Sequence, residues 1–414
     1  MTEKLRRYLF YDVAISICSV CYRRVDAKIV FEDDKVWMLK RCPQHGHARV
    51  LVADDVDYYR RSREVFLKTP EQPMVYNTPV KYGCPYDCGL CPDHEQHSCI
   101  SLIEICDACN LTCPICYAGS GQHRTEYRTL EQVEGMLDCI VRNEKEPDVV
   151  QISGGEPTLH RDFFRILDMA KARPIKHLLV NTNGIRIARE PEFAERLADY
   201  MPGFEVYLQF DSLEAGPLRD LRGADLRGIR SGAIENLNRL GVSTTLVVTV
   251  KKGANDGELG RIIDYALQQS SVRGVVFQPV QAAGRLMGFD QAADRLTLTE
   301  VRRRILEQTP VFRAEDIIPV PCHPDSLAMA YALKAGDCVK PLTGMIDPQI
   351  LIDGGRNTIV YEADDNLHRQ LFKVFSTNHT PQSSMASLRD PTNSSRKTPW
   401  RSIIASVGIA ETRY

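Results

Sequence analysis

The sequence predicts an α/β protein, in which a partial barrel of six βα units follows a cysteine-rich, metal-binding amino-terminal domain. From residue 101 onward, short apolar runs alternate with helical patterns, which is typical of a parallel sheet. Eleven of the 14 cysteines lie in the first 116 residues, at short spacings that suit metal ligands. A chain of 414 residues exceeds the roughly 250–300 residues of one hydrophobic core, so two or three domains are expected.

The βα repeat supports a (β/α)6 arrangement over residues 101–290. The six predicted strands are apolar and rich in β-branched residues, at 101–105, 148–152, 177–181, 204–210, 243–250 and 273–279. Helical patterns lie between them, at 130–143, 161–172, 191–201, 232–241 and 256–269. Crossovers between parallel strands are right-handed, and such folds place their functional residues after the carboxyl ends of the strands.

Residues 1–80 carry three cysteines in two short turns. CSVC supplies Cys18 and Cys21, and CPQHGH supplies Cys42. This rubredoxin-like or zinc-ribbon-like spacing predicts a mononuclear tetrahedral metal site that needs one more ligand, for which His45 and His47 are candidates. Thiolate spacing leaves iron and zinc open, and a structural role is favoured over a catalytic one.

A second cysteine group fills residues 81–100, among glycines, prolines and polar residues. Its four members are Cys84, Cys88, Cys91 and Cys99. Four thiolates can ligate an auxiliary 4Fe-4S cluster completely, and a zinc knot is the alternative. His94 and His97 are expected beside the metal as hydrogen-bond donors, not as ligands.

Beyond the repeats we expect an extension at residues 291–375, with a helix at 299–308, and a mobile tail at 376–414 that is rich in Ser, Thr, Pro and Arg. The net charge of −2 gives no general attraction to nucleic acid. No apolar run reaches the roughly 18–20 residues of a transmembrane helix, and Asp12 interrupts the apolar run at the start, against a signal peptide. Short cysteine spacings without an export signal predict a cytoplasmic metalloprotein.

Cys109, Cys113 and Cys116 directly follow the first predicted barrel strand, in CDACNLTCPIC. Three thiolates can hold three irons of a 4Fe-4S cube and leave the fourth iron open to a non-protein ligand. This spacing in this strand context resembles the radical S-adenosylmethionine (radical SAM) superfamily, over roughly residues 100–290. A residue preceding the last cluster cysteine is often aromatic in that superfamily and is Ile115 here. Cys106 is expected to be a buried cysteine that ends the strand, not a ligand.

The resemblance extends to the loops after the next three strands. In SGGEP, Gly154, Gly155 and Glu156 match the motif that binds the methionyl ammonium of the cofactor, with the carboxylate pairing the cation. NTNG supplies Asn183 on the cofactor side, and QFDS supplies Asp211 as a candidate contact to the ribose.

The superfamily resemblance implies a mechanism and its cofactors. These enzymes use a reduced 4Fe-4S cluster to cleave S-adenosylmethionine, and the resulting 5′-deoxyadenosyl radical abstracts hydrogen from an unactivated carbon. A low-potential electron donor such as ferredoxin or flavodoxin is the implied partner. The alternative from another class is a non-catalytic iron-sulfur electron carrier, against which the GGEP motif argues.

The order of the three cysteine groups narrows the resemblance to radical enzymes described as tetraether lipid synthases, a group with an archaeal member earlier described as a dihydropterin methyltransferase. The implied reaction is lipid-chain carbon–carbon coupling, with a location at the membrane periphery, or methylation of a pterin-type small molecule. The group also carries a second auxiliary cluster, for which Cys322 is the candidate ligand. Residues 385–414 contain no cysteine to complete it, and Cys139 and Cys338 are expected outside any cluster.

Overall fold

The computed structural model describes residues 6–69, 71–94, 96–320, 323–335, 338–354, 369 and 404–410. Cys322 lies outside these residues. None of the helices in the described part of the chain combines the length and the apolar composition that a membrane-spanning helix needs.

The amino-terminal domain is an antiparallel sheet with the strand order β1-β2-β3-β4. Its strands are β1 (Leu9–Ile17), β2 (Arg24–Glu32), β3 (Lys35–Cys42) and β4 (Gly46–Ala53), followed by helix α1 (Val56–Glu64). The side chain of Asp55 caps α1 by accepting a hydrogen bond from the N–H of Tyr58 at 2.8 Å. Because Ile29, Phe31 and Tyr59 pack into one apolar cluster, the sheet and α1 share a small core of their own.

Six parallel strands form the barrel sheet, and they pair in chain order. The strands from here to residue 279 are β5 (Ile100–Glu104), the short β6 (Ile115–Cys116) outside this sheet, β7 (Val149–Ser153), β8 (His177–Thr182), β9 (Phe204–Gln209), β10 (Thr244–Val250) and β11 (Val272–Pro279). The helices between them are α2 (Leu130–Glu144), α3 (Phe163–Lys171), α4 (Ile185–Arg189), α5 (Pro191–Ala198), α6 (Ala215–Arg222), α7 (Arg227–Leu240) and α8 (Leu259–Gln268). The predicted α/β barrel of βα units is confirmed.

The strands alternate between a face that packs on the helices and a face opposite them. Ile152, Val180, Val206, Val248 and Phe277 lie on the helix-packed face, and each has no exposed surface. They belong to one apolar cluster that includes residues of α2, α3, α5, α7 and α8. Burial of this face fixes the strand register, so the residues of the opposite face are fixed too.

The carboxy-terminal region extends this sheet. Its elements are β12 (Arg285–Leu286), α9 (Gln291–Asp294), α10 (Leu298–Gln308), β13 (Ile318–Pro319), β14 (Leu327–Ala335), β15 (Cys338–Pro341), α11 (Pro348–Gly354) and β16 (Ile404–Ala410). β16 lies between β11 and β14, parallel to β11 and antiparallel to β14. The expectation of a mobile tail is therefore wrong for Ile404–Ala410, because the strand completes its hydrogen bonds within the sheet. The other residues of that tail lie outside the described part.

Candidate functional site

The loop that carries Cys109, Cys113 and Cys116 is held against the carboxyl end of the barrel sheet. Strand β6, which includes Cys116, pairs with β12. Arg285 of β12 donates from Nε to the carbonyl of Cys113 and from Nη2 to the carbonyl of Ser120, both at 2.6 Å. These contacts fix the loop backbone from outside, so the three cysteines lie in an ordered loop that the barrel itself supports.

The three thiols form one largely shielded group. Burial, then the nearby charges of Glu156, Cys113 and Cys116, raise the pKa of Cys109 to about 12. Burial also raises the pKa of Cys113, which has 8% of its surface exposed. A metal cluster would displace the protons of these thiols and bind them as thiolates. Three thiolates from one loop are a donor set that would leave one iron of a 4Fe-4S cube open, and the assignment of the cluster to them stays a prediction.

Gly154 and Gly155 let the loop after β7 pack directly on the backbone that leads to Cys109. A side chain at Gly154 would overlap the carbonyl of Cys106, and one at Gly155 would overlap the carbonyl of Ala108. Gly154 also has a φ of 136°, which L side chains rarely adopt. The N–H of Gly155 donates to the carbonyl of Cys106 at 2.8 Å. Because neither glycine has a side chain, the loop after β7 lies in direct backbone contact with the cysteine loop.

The Glu156 carboxylate is buried and accepts four hydrogen bonds from protein groups. Oε1 accepts from the N–H and hydroxyl of Thr158, at 3.2 and 2.6 Å, and from the hydroxyl of Thr182 at 2.8 Å. Oε2 accepts from the N–H of Asn183 at 2.8 Å. Three donors saturate Oε1, whereas Oε2 accepts one hydrogen bond and keeps a second acceptor position. Burial raises the pKa of Glu156 although these bonds lower it. The predicted ion pair with a cofactor ammonium stays a prediction.

Asn183 joins the same network from the end of β8. Its Nδ2 donates to Oδ1 of Asn110 in the cysteine loop at 2.6 Å. The predicted residues Gly154, Gly155, Glu156 and Asn183 are thus brought together with the cysteine loop.

Asp211 is fully buried and forms a two-bond ion pair with Arg222. Its carboxylate accepts from Nε of Arg222 at 2.7 Å and from Nη2 at 2.5 Å. Burial raises the pKa of Asp211, but the attraction of Arg222 and Arg230 outweighs it and holds this pKa below the usual value. Burial raises the pKa of Cys113 and the charge of Arg222 lowers it, so the pair lies near the cysteine loop. The ribose contact predicted for Asp211 remains a prediction.

Two arginines of this site were not foreseen from the sequence. Arg230 of α7 is 2% exposed, donates to the carbonyl of Asn183, and has Nη2 at 3.6 Å from Asp211. Its Nε and Nη2 have no hydrogen-bond partner among the described residues. One signal could have revealed it, because Arg230 falls on the apolar stripe of α7 with Ala233, Ile234 and Leu237. Arg222 gave no comparable signal.

Two residues close to the three cysteines in the sequence, Cys106 and Ile115, are both buried. Cys106 is completely buried, and its thiol donates to the carbonyls of Ala108 and Glu156 at 3.6 and 3.4 Å. Ile115 packs with Leu221 and Val280, at the base of the cysteine loop.

The amino-terminal cysteines form a compact metal-ligand set. Ligand atoms of Cys18, Cys21, Cys42 and His45 all lie within 4.8 Å of one another. Nδ1 of His45 is 3.6 Å from the sulfur of Cys18 and 3.5 Å from that of Cys42. A tetrahedral ion with bonds of about 2.0–2.3 Å places its ligands roughly 3.3–3.8 Å apart, so the set fits one ion. His45, not His47, is the fourth member.

The second cysteine group lies at the opposite end of β5 from Cys109. Cys99 directly precedes β5, and the segment before it is anchored on α2, where His97 lies 3.5 Å from Glu144. Cys84 and Cys88 are exposed and Cys91 is buried, and no disulfide joins the described cysteines. Their ligand atoms do not form a single-ion set such as the amino-terminal one. A cube binds each thiolate through a different iron and needs a wider spacing, so the auxiliary cluster stays a prediction.

Three features together define a radical SAM domain. They are the parallel barrel, the loop with Cys109, Cys113 and Cys116, and the adjacent loop with Gly154, Gly155 and Glu156. Residues 103–266 match the family model for the radical SAM superfamily, and residues 10–54 match that for the HMPTM N-terminal zinc ribbon domain. The chain belongs to the radical SAM superfamily of enzymes, whose members use a 4Fe-4S cluster and S-adenosylmethionine.

Characterised relatives differ in the reaction their names describe. The 7,8-dihydro-6-hydroxymethylpterin dimethyltransferase of Methanocaldococcus jannaschii is 34% identical over 313 residues, which are 74% of this chain and 61% of that protein. The mycofactocin maturase of Mycolicibacterium smegmatis is 31% identical over 38% of each chain. The GTP 3′,8-cyclase of Pectobacterium atrosepticum is 26% identical over 54% of this chain and 68% of its own. The chain thus spans about three fifths of the pterin enzyme.

Solved structures that are similar to part of the chain include Streptococcus suis SuiB bound to S-adenosylmethionine, at 18% identity and a TM-score of 0.40 over 50% of this chain and 45% of that one. A radical SAM methyltransferase from Sphaerobacter thermophilus matches 73% of this chain and 75% of its own, at 12% identity and a TM-score of 0.38.

Proposed function

We propose that this chain methylates a pterin-type small molecule by radical SAM chemistry. In this proposal Cys109, Cys113 and Cys116 hold the 4Fe-4S cluster, and the loop at Gly154–Glu156 positions the cofactor beside it. The bound cluster and S-adenosylmethionine would supply the 5′-deoxyadenosyl radical that removes hydrogen from the substrate. In this proposal a second S-adenosylmethionine donates the methyl group that replaces this hydrogen and leaves as S-adenosylhomocysteine. The low-potential donor supplies one electron for the cleavage and one for the methyl transfer to the substrate radical. The protein groups orient both molecules and keep water away from the reacting atoms.

The polarity of the sheet face opposite the helices is the observation that carries this proposal. The last residue of that face is polar in every parallel strand of the barrel, namely Glu104, Ser153, Asn181, Gln209, Thr249 and Gln278. These residues lie at the carboxyl ends of the strands, on the side of the cysteine loop. A pterin carries ring nitrogens, an amine and a carbonyl, all of which form hydrogen bonds with such groups. The name of the 34% identical relative, a pterin dimethyltransferase, agrees with this substrate class.

The lipid-chain coupling expected from the sequence needs an apolar channel. Binding two hydrocarbon chains against the polar ends of all six strands would cost free energy, because the buried amides would lose their hydrogen bonds to water without replacing them. A non-catalytic electron carrier would not need the loop at Gly154–Glu156 that packs on the cysteine loop. The presence of this loop therefore argues against the electron-carrier alternative. The proposal also includes an auxiliary cluster held by Cys84, Cys88, Cys91 and Cys99. A low-potential protein such as ferredoxin or flavodoxin would supply the electrons.

The test is anaerobic reconstitution with iron, sulfide and dithionite, followed by incubation with S-adenosylmethionine and deuterated 7,8-dihydro-6-hydroxymethylpterin. We expect 5′-deoxyadenosine that carries deuterium and a pterin product in which a methyl group has replaced that deuterium. 5′-Deoxyadenosine without deuterium, together with an unmethylated pterin, would overturn the proposed substrate.

Cys113→Ala and Cys139→Ala form a matched pair for this assay. Cys139 lies on α2, away from the site. Loss of cleavage in the first variant with full activity in the second supports the cluster assignment, and equal activity in both contradicts it.

A further inference from the structure

A ladder of side-chain hydrogen bonds crosses the polar end of the sheet face opposite the helices. Nδ2 of Asn181 donates to the hydroxyl of Ser153 at 3.3 Å. Nε2 of Gln209 donates to Oδ1 of Asn181 at 2.8 Å. Farther along the sheet, Nε2 of Gln278 donates to the hydroxyl of Tyr207 at 3.2 Å. Amides from three different strands are thus aligned on one face.

These groups are only partly satisfied within the described residues. A side-chain amide has two N–H donors and an oxygen that accepts twice. Asn181 uses one of its donors and one acceptor position, and Gln278 uses one donor. The O–H of Tyr207 accepts from Gln278 and donates to no described group. Asn181, Tyr207, Gln209 and Gln278 are all partly exposed, so their remaining hydrogen-bond capacity is open to a ligand.

The ladder leads to the candidate active site. Nη2 of Arg222 donates to Oε1 of Gln209 and to the hydroxyl of Thr249, both at 2.9 Å. Arg222 in turn binds Asp211, which lies 3.6 Å from Nη2 of Arg230, and Arg230 donates to the carbonyl of Asn183. A molecule that binds the amides therefore lies next to the groups that surround the cysteine loop.

We propose that Asn181, Tyr207 and Gln278 recognise the hydrogen-bonding edge of a planar nitrogen heterocycle. Such an edge presents a donor and an acceptor side by side, and a side-chain amide offers the complementary pair, as Asn and Gln do for adenine in DNA. Tyr207 and Gln278 form one such contact point, and Asn181 forms a second on the neighbouring strand. The ladder fixes the amides before binding, which lowers the entropy cost of recognition. The proposal rests on the proposed function and assigns its specificity to these residues.

The selectivity expected from this arrangement is strong. A site built to hydrogen-bond a ligand group rejects the analogue that lacks it, because its own polar groups are then left unpaired. Tyr207→Phe removes one hydroxyl and keeps the ring, while Gln278→Leu removes the amide at similar volume. Gln268→Leu is the matched control, since Gln268 is exposed at the end of α8.

The experiment measures the dissociation constant of 7,8-dihydro-6-hydroxymethylpterin for the reconstituted full-length protein, by the fluorescence change of the pterin. A second probe is GTP, which carries a similar heterocyclic edge. We expect Gln278→Leu and Tyr207→Phe each to weaken pterin binding about tenfold or more, and Gln268→Leu to bind like the wild type. Thermal unfolding of each variant shows whether it is folded.

The outcomes separate the two proposals. Folded variants that bind the pterin as tightly as the wild type overturn the recognition role and leave the proposed function standing. A wild-type protein that binds GTP but not the pterin, with the same loss in the variants, supports the recognition role and overturns the proposed substrate. A wild-type protein that binds neither heterocycle overturns the recognition role.

Discussion

Glu156 and Asn183 are joined by a hydrogen bond of 2.8 Å from the backbone N–H of Asn183 to the Glu156 carboxylate, and this bond ties the loop after β7 to the end of β8. The remaining oxygen of Glu156 accepts from Thr158 and Thr182. Asn183 in turn donates to Asn110 in the cysteine loop. The carboxylate therefore holds three loops of the site in one arrangement.

Glu156→Gln is expected to destabilise the protein by about 1–3 kcal/mol, because whichever way the amide lies, its NH2 group faces a protein donor. Urea unfolding of the reconstituted enzyme measures the change. Glu146→Gln is the control, since Glu146 is exposed. Unchanged stability with a weaker affinity for S-adenosylmethionine would instead show that the carboxylate mainly binds the ammonium.

Gly155→Ala is expected to lower the iron and sulfide content of the reconstituted protein and to destabilise it by roughly 1–3 kcal/mol, because the new methyl group overlaps the carbonyl of Ala108. Colorimetric iron and sulfide assays and urea unfolding measure both effects.

Gly135→Ala provides the control for this substitution. Gly135 is exposed on α2 and has nothing within 4 Å of an added Cβ, so Ala should stabilise the helix by up to about 1 kcal/mol. Equal iron and sulfide content in Gly155→Ala and Gly135→Ala would contradict the role of Gly155 in packing the two loops together.

The barrel strands could be predicted from the sequence to within one residue at each end. Strand Val149–Ser153 is buried on both faces, three of its five residues are Val or Ile, and polar loops bound it. Helix Ala215–Arg222 was missed because it is short and has Gly216 and Pro217 in its first turn. Its last residue, Arg222, was therefore missed as part of the site. Strand Ile404–Ala410 was missed because the composition of the surrounding tail obscured its short apolar run.

The motif residues were placed correctly near one another, but their hydrogen-bond partners could not be derived. Sequence spacing shows that Glu156 follows a strand end. It does not show that Glu156 accepts hydrogen bonds from Thr182 and Asn183 at the end of β8, since those contacts depend on the register between strands. Likewise, spacing left His45 and His47 equivalent, whereas the turn geometry places only His45 beside the three thiols.

His45→Ala is expected to reduce the amino-terminal metal content below one ion per chain and to unfold that domain at a lower urea concentration. Metal binding by these four ligands would contribute directly to the folding of this small sheet. His47→Ala should keep the metal, since His47 is outside the ligand set. Elemental analysis after dialysis against a chelator measures both, and equal metal loss in the two variants would contradict the assignment of His45.

Asp211→Asn is expected to destabilise the protein by about 3–5 kcal/mol, because it leaves Arg222 buried beside a neutral partner. Asp225→Asn is the matched control, since the Asp225–Arg227 pair lies on the surface, where solvent screens its attraction. The pKa of Asp211 is lowered, so its stabilisation is complete above the unfolded-state value of about 3.9 and is lost only as the pH falls through the folded-state value. The difference between wild type and Asp211→Asn in urea unfolding should therefore stay constant from pH 6 to 8. A difference no larger than that of the control, or one that changes across this range, would show that Asp211 and Arg222 do not form the buried ion pair in solution.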